Sequence, residues 1–368
     1  MIPIARPAFT DNEIEAAIRV LKSGHLRQGP ETEEFEREFC RKVGSKYAYA
    51  VSSGTAALHV SYLSILKRGD EVVVPDFTFI ATASTAVFSN AKPVFADISE
   101  ETFTIDPKDT NEKISSKTKA IAPVHLFGHP ADMKTLGEIA EDHDLYLVND
   151  AAQAHGAKIS GKDVGALDDL NCYSFYPTKN MTTGEGGMVT TNEKKFYEKG
   201  RLLRSHGQES KYYHTTFGLN YRMTDIAAAI GFEELKKLDN FLKLRKSNAA
   251  ALTKALEKID GIRPPLIKNN VDHSFTVYSV LLDASQFRCT RDEFVKAIQA
   301  ENVGCSVHYP VPLTKQPVFA DKFKVHKCPV AEAVSENIFS LPVHPQLSRM
   351  QLENIVEAVE VVAGYYYK

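Results

Sequence analysis

The 368-residue chain has almost no charge bias: 44 basic against 47 acidic side chains leave a net charge of −3, with no long run of either sign. Such a balance offers no cationic stripe to a nucleic acid and no polybasic patch to an anionic membrane surface. Long apolar stretches are also missing. None approaches the ~18 residues that cross a bilayer, and the opening MIPIARPAFTDNE lacks the apolar core of a secretory signal. Cysteine is scarce. Cys40, Cys172, Cys289, Cys305 and Cys328 are odd in number, scattered, and form no C-x-x-C pair, which argues against a disulfide framework or a structural zinc site. These absences predict a soluble protein of a reducing, cytoplasmic compartment with buried thiols. Low-complexity segments and internal repeats are lacking too, and a hydrophobic share of 43% is that of an ordinary globular chain.

What is present is an alternation of helix-period and strand-like segments. Thr10-Asp11-Asn12-Glu13 has capping-box spacing, and Ile14, Ala17, Ile18 and Leu21 recur on one helical face up to Gly24. Phe35, Phe39 and Val43 make a second stripe, closed by Gly44. Strands are expected at 47–51, 71–74, 93–96, 119–124, 145–148, 171–175 and 188–190, with helices such as 55–66 and 133–142 between them. This predicts an α/β fold built on a mostly parallel sheet covered by helices. A long helix is expected over 225–244, running on toward 259. Beyond Gly261-Ile262-Arg263-Pro264-Pro265 the pattern changes: a strand at 273–282, a helix at 291–301, a strand at 304–309 and a helix at 350–367. Residues 1–250 then form a large domain and 251–368 a smaller C-terminal α+β domain, with which the N-terminal segment could also pack.

Four motifs fall just after expected strands, at the carboxyl edge where open parallel sheets bind ligands. Ser52-Ser53-Gly54-Thr55-Ala56-Ala57-Leu58 suits an anion at a helix start. Asn149-Asp150-Ala151-Ala152-Gln153 places a carboxylate at a strand end. Ser174-Phe175-Tyr176-Pro177-Thr178-Lys179-Asn180 leads into the glycines 184, 186 and 187, and a desolvated lysine there could attack a carbonyl. Pro75-Asp76-Phe77-Thr78-Phe79 offers an aromatic ring to stack on a planar ligand. Each has a plainer reading: helix caps for the first two, a surface lysine for the third, a core phenylalanine for the fourth. Together they supply what pyridoxal phosphate needs, namely an anion cradle, a carboxylate for the pyridine nitrogen, a lysine for the aldehyde and a planar neighbour. His125, His155 and His206 lack metal-ligand spacing, and no metal site is expected.

These segments, with Gly184-Glu185-Gly186-Gly187-Met188-Val189 and Gly218-Leu219-Asn220-Tyr221-Arg222-Met223-Thr224-Asp225, resemble the DegT/DnrJ/EryC1/StrS family from Ile2-Pro3 to Leu341–Pro345. The resemblance implies the type I fold of aspartate aminotransferase. It also implies a pyridoxal 5'-phosphate-dependent transfer of an amino group, usually from L-glutamate, to a nucleotide-linked keto-sugar. Carried onto this chain, it makes Lys179 the Schiff-base lysine and Asp150 the partner of the ring nitrogen. Gly54, Thr55 and Ser174 would hold the phosphate, Phe79 would cover a ring face, and Gln153 would sit near the ring oxygen. Asn220 would reach the phosphate of a neighbouring subunit, so that a homodimer shares its active sites. His308 and Tyr309 are candidates for the sugar pocket. Family members commonly read H-Y-x-P-L-H there, whereas the second histidine is Thr314 in this chain. A non-transaminating, dehydratase-like sugar enzyme and a regulatory binding protein of the same fold remain alternatives. Lys179 argues against the 3-dehydratase branch, which has histidine in its place.

Overall fold

Glu13 accepts the backbone N–H of Thr10 at 2.7 Å, as the capping-box spacing predicts, and starts helix α1 (Asp11–Ser23). Gly24, at φ 72°, ends it in the left-handed conformation that glycine adopts without strain. Helix α2 (Pro30–Val43) follows with proline in its first turn. The computed structural model describes residues 1–167, 169–323 and 326–368.

The chain then alternates strand and helix: β1 (Tyr47–Val51), α3 (Gly54–Ile65), β2 (Glu71–Pro75), α4 (Ala81–Phe88) and β3 (Lys92–Ala96). It continues through α5 (Pro107–Glu112), β4 (Thr118–Ile121), α6 (Met133–Asp142) and β5 (Tyr146–Asp150). A short hairpin, β6 (Lys158–Ile159) and β7 (Lys162–Asp163), precedes β8 (Leu170–Ser174) and β9 (Gly187–Thr191). Seven strands form one sheet in the order β1-β9-β8-β5-β4-β2-β3. Pairing is parallel from β8 through β5, β4 and β2 to β3, while β9 runs antiparallel to both β8 and β1. The sheet is therefore mostly parallel, with β9 alone reversed. Strand β4 stops at Ile121, short of the expected 124, and Pro123 just beyond it has no N–H for a ladder.

Apolar clusters cover both faces. One joins Leu58, Val60, Val72, Val74, Phe95 and Leu170; the other joins Phe35, Phe39, Val73, Ile121, Leu147 and Phe175. Alternate residues of β2 enter opposite clusters, the period-two signature of a strand buried on both faces. Helix α7 (Lys194–Arg204) and the small hairpin β10 (Gln208–Ser210) and β11 (Tyr213–His214) lead to α8 (Asp225–Leu256).

Helix α8 runs unbroken through residue 250. Its early residues Ala228, Leu235 and Leu238 pack under the sheet, and its last turns enter a third cluster through Ala249, Leu252 and Leu256. That cluster gathers Ile2, Ile262, Val280, Phe294, Phe339 and Val359 around β12 (Ile262–Arg263), β14 (Tyr278–Leu282) and β15 (Ile338–Leu341), while β13 (Val271–Asp272) pairs with β6. β12, β14 and β15 form an antiparallel sheet. Two expected strands are corrected here. Residues 273–276 form a bend: Ser274 and Thr276 donate to the carbonyls of Gly128 and Phe127, and Phe275 has φ 48°. Residues 304–309 make only single bridges, Ser306 to Ser340 and the adjacent Val303 to Ile2, because Pro310 and Pro312 deny the segment a continuing ladder. Among the described residues, no helix is long and apolar enough to cross a membrane.

Candidate active site

Because β1, β2, β4, β5 and β8 point the same way, their carboxyl ends share one edge, and a cavity of about 550 Å³ opens there. Gly54, Thr55, Phe79, Asp150, Gln153, Ser174, Lys179, His308 and Tyr309 all line it. Nine of the ten candidate residues thus meet, from segments spread over more than two-thirds of the chain. Asn220 does not. It is exposed and lies outside the lining, in a segment whose Tyr221 carbonyl accepts the N–H of Ser52 at 2.8 Å.

The start of α3 is built for an anion. Ser53 caps the helix, its Oγ accepting from Ala56 N–H at 3.1 Å and its carbonyl from Ala57 N–H at 3.0 Å. The N–H groups of Gly54 and Thr55 find no acceptor among the described residues, so two donors and the positive end of the helix face the cavity. A Cβ on Gly54 would stand 2.6 Å from Ser174 Cβ, which only glycine avoids.

Asp150 ends β5 and is buried. Thr82 Oγ1 donates to its Oδ2 at 2.7 Å, and Ala152 N–H donates to its Oδ1 at 3.1 Å. Burial raises the Asp150 pKa, opposed by these two donors and by the positive charge of Lys179. Lys179 lies in the return from β8 to β9, a loop pinned on both sides. Phe175 N–H donates to Gly186 O at 2.8 Å, Thr182 Oγ1 to Phe175 O at 2.8 Å, and Asn180 Nδ2 to Ser274 O at 3.0 Å. Burial lowers the Lys179 pKa, with Asp150 opposing. A lysine whose pKa is lowered by burial, lining one cavity with a buried carboxylate, is a feature of reactive sites and not of solvated surfaces.

Phe79 is 54% exposed at the cavity wall, so the core reading of its ring fails. Gln153 Oε1 accepts Phe127 N–H at 2.8 Å, which fixes the amide, and its Nε2 donates to Tyr309 OH at 3.0 Å. The Tyr309 hydroxyl hydrogen is thereby left for another acceptor. His308 Nδ1 faces Ser306 Oγ at 3.3 Å and Ser340 Oγ at 3.2 Å, and burial together with Lys179 pushes its pKa down to about 4. It is neutral at pH 7 and keeps one ring nitrogen for a ligand. Thr314, at the position of the family histidine, is buried, bonds Asp76 and does not line the cavity.

The donor set fits pyridoxal phosphate: open amides for a phosphate, a buried carboxylate for a ring nitrogen, a lysine amine for an aldehyde. Of the other histidines, His125 accepts Ala131 N–H at 3.1 Å and His155 lies against Tyr173 and Phe175; burial pushes both to about 3. His206 is exposed in a turn at φ 59°. Among the described residues, no group of three or more His, Cys, Asp or Glu is placed to hold a metal. Sequence reading missed Thr82, whose place in the first helical turn after the Pro75–Phe79 motif was an available signal. It also missed Thr276, whose Oγ1 reaches the Gln153 carbonyl and for which no local signal exists.

Comparison with known proteins identifies the family. The model of the DegT/DnrJ/EryC1/StrS aminotransferase family matches residues 7–360. GDP-perosamine synthase of Escherichia coli O157:H7 is 35% identical, with 97% of each chain covered. UDP-2-acetamido-2-deoxy-3-oxo-D-glucuronate aminotransferase of Pseudomonas aeruginosa is also 35% identical, over 95% of each chain. Among solved structures, Streptomyces venezuelae DesV, in complex with a ketimine intermediate, superposes with a TM-score of 0.92 at 36% identity, covering 96% of this chain and 94% of its own. A match of this length means that the chain belongs to the DegT/DnrJ/EryC1/StrS family and is a sugar aminotransferase.

Proposed function

We propose that the enzyme uses pyridoxal 5'-phosphate to move an amino group from an amino acid, L-glutamate, to the keto group of a nucleotide-linked sugar, in amino-sugar biosynthesis. The observation that carries this reading is the convergence of Lys179, Asp150 and the open amides of Gly54 and Thr55 on one cavity. When bound, the cofactor supplies an electron sink for the carbanion at the reacting carbon. The protein's own residues supply the rest. Gly54, Thr55 and Ser174 hold the phosphate. Asp150 holds a proton on the pyridine nitrogen through opposite charge and a charge-assisted hydrogen bond. Lys179 anchors the aldehyde carbon, and its free amine, eased toward neutrality by burial, takes and returns the substrate proton. Phe79 covers one ring face, Gln153 stands by the ring oxygen, and His308 and Tyr309 meet the sugar.

The same reading includes a homodimer with shared sites. Asn220 is exposed outside its own cavity, and the exposed rings of Tyr212 (83%) and Phe217 (98%) precede it in the chain, apolar surface that a second copy would cover. Co-expressed, differently tagged Lys179→Ala and Asn220→Asp chains should regain activity in heterodimers, where one site carries both lesions and the other neither. Verified heterodimers without recovered activity would remove Asn220 from the site. The central assignment is tested by Lys179→Ala alone. It should lose steady transamination and the borohydride-trappable cofactor while still binding cofactor non-covalently. Near wild-type turnover with glutamate would disprove the role of Lys179.

A further inference from the structure

The two walls of the cavity belong to different parts of the fold. Thr78 and Phe79 follow β2 of the large sheet, whereas His308 and Tyr309 precede a segment that leads toward β15. The walls touch through rings: Tyr309 lies 5.9 Å from Phe77 and 6.2 Å from Phe79, centroid to centroid. Behind them sits Asp76, fully buried, which receives three hydrogen bonds from one short stretch. Thr314 N–H donates to Oδ1 at 2.6 Å, Thr314 Oγ1 to Oδ2 at 2.8 Å, and Leu313 N–H to the Asp76 carbonyl at 2.8 Å. Among the described residues, no cation lies within ion-pair distance of Asp76. Burial pushes its carboxyl up to about 6, against the pull of Thr314. A buried carboxylate without an ion-pair partner is costly, and the Thr314 donors offset part of that cost. What it supplies is a two-oxygen grip on Thr314. Between Tyr309 and Thr314 lie Pro310, Val311, Pro312 and Leu313, and the two locked proline φ angles make this stretch stiff. A grip at Thr314 is therefore transmitted to Tyr309.

We propose that Asp76 and Thr314 form a clamp that sets the place of Tyr309 against the large-sheet wall, and so act as positioning residues for the sugar ring of the substrate. The proposal rests on the aminotransferase reading, and it assigns the second half-reaction alone to the clamp. The cofactor's phosphate, ring-nitrogen and aldehyde contacts at Gly54, Ser174, Asp150 and Lys179 come from other segments of the chain, and Phe79 and Gln153 are held from the large-sheet side, Phe79 by its place after β2 and Gln153 by the Phe127 N–H.

The test uses the cofactor-loaded enzyme with Thr314→Val, Asp76→Ala, both together, and Thr314→Ser. The substrate is whichever UDP-, dTDP- or GDP-linked keto-sugar the wild-type enzyme turns over best. Thr314→Val should raise KM for the keto-sugar about tenfold, the loss of one charge-assisted hydrogen bond. Cofactor affinity and the rate of the half-reaction with glutamate should stay within about twofold. Thr314→Ser should restore KM, and the double variant should be no worse than Asp76→Ala alone, as residues of one unit are non-additive. Calorimetric binding of the same sugar nucleotide to the cofactor-free chain should weaken in parallel, a readout independent of turnover. An unchanged KM and calorimetric affinity in folded Thr314→Val and Asp76→Ala overturns the clamp. So does a parallel fall in cofactor affinity, which would make the pair a general support. Failure of the wild-type enzyme to react with glutamate at all would instead strike the aminotransferase reading.

Discussion

Replacing Thr82 with valine removes one oxygen and keeps the shape. The hydroxyl has a single proton and three acceptors in range: Asp150 Oδ2 at 2.7 Å, Phe79 O at 3.3 Å and Thr78 Oγ1 at 3.4 Å. The short contact to a carboxylate takes it. A hydrogen bond to a charged group is worth about 1.5–3 kcal/mol, or about one to two pKa units at ~1.4 kcal/mol per unit. Asp150 is already raised by burial, and Thr82 is the foremost influence holding it down. Thr82→Val should therefore move the acid limb of the glutamate half-reaction about one to two units toward higher pH. It should also slow the reaction on that limb. The assay is the stopped-flow change in visible cofactor absorbance across a pH series, with thermal unfolding as a control on folding. A limb that superposes on the wild type in a normally folded variant refutes the claim that Thr82 sustains the charge of Asp150.

Three further outcomes follow from the same geometry. Gly54→Ala would drive a Cβ to 2.6 Å from Ser174 Cβ, so cofactor affinity should fall at least about tenfold, as read by titration of the apoenzyme; unchanged affinity would remove Gly54 from the phosphate site. The Asp76 pKa lies at about 6, above its ordinary value of 3.8, so the stability from its protonated form is full below 3.8 and lost as pH rises through 6. Asp76→Asn should thus gain at most about 3 kcal/mol at pH 8 and almost nothing near pH 4, measured by denaturant unfolding at both. His125 and His155 are held near 3, and His308 and His344 near 4. They bind protons in the unfolded chain first, so they contribute a fall in stability from about pH 6.5 downward. Replacing His155 with Gln should flatten that fall, and an identical pH dependence would contradict it.

Local chemistry determined much of this protein. Capping boxes, glycines at helix ends and period-two or helix-period apolar stripes marked α1, α2, the sheet strands and α8 within a few residues. These signals act between neighbours and need no partner from afar. They also put Ser53-Gly54, Phe79, Asp150 and Lys179 after strands, and a parallel sheet has one carboxyl edge, so their convergence was legible. The strand expected at 304–309 failed because its backbone answers to distant groups, Ile2 and Ser340, as well as to its own prolines. Thr82 meets Asp150 across 68 residues, Gln153 meets Tyr309 across 156, and Asp76 meets Thr314 across 238. No periodicity carries such pairings. They are set when α8 and the third core dock beside the sheet, because hydrophobic burial is non-directional and only the packed geometry decides which polar groups it brings within reach.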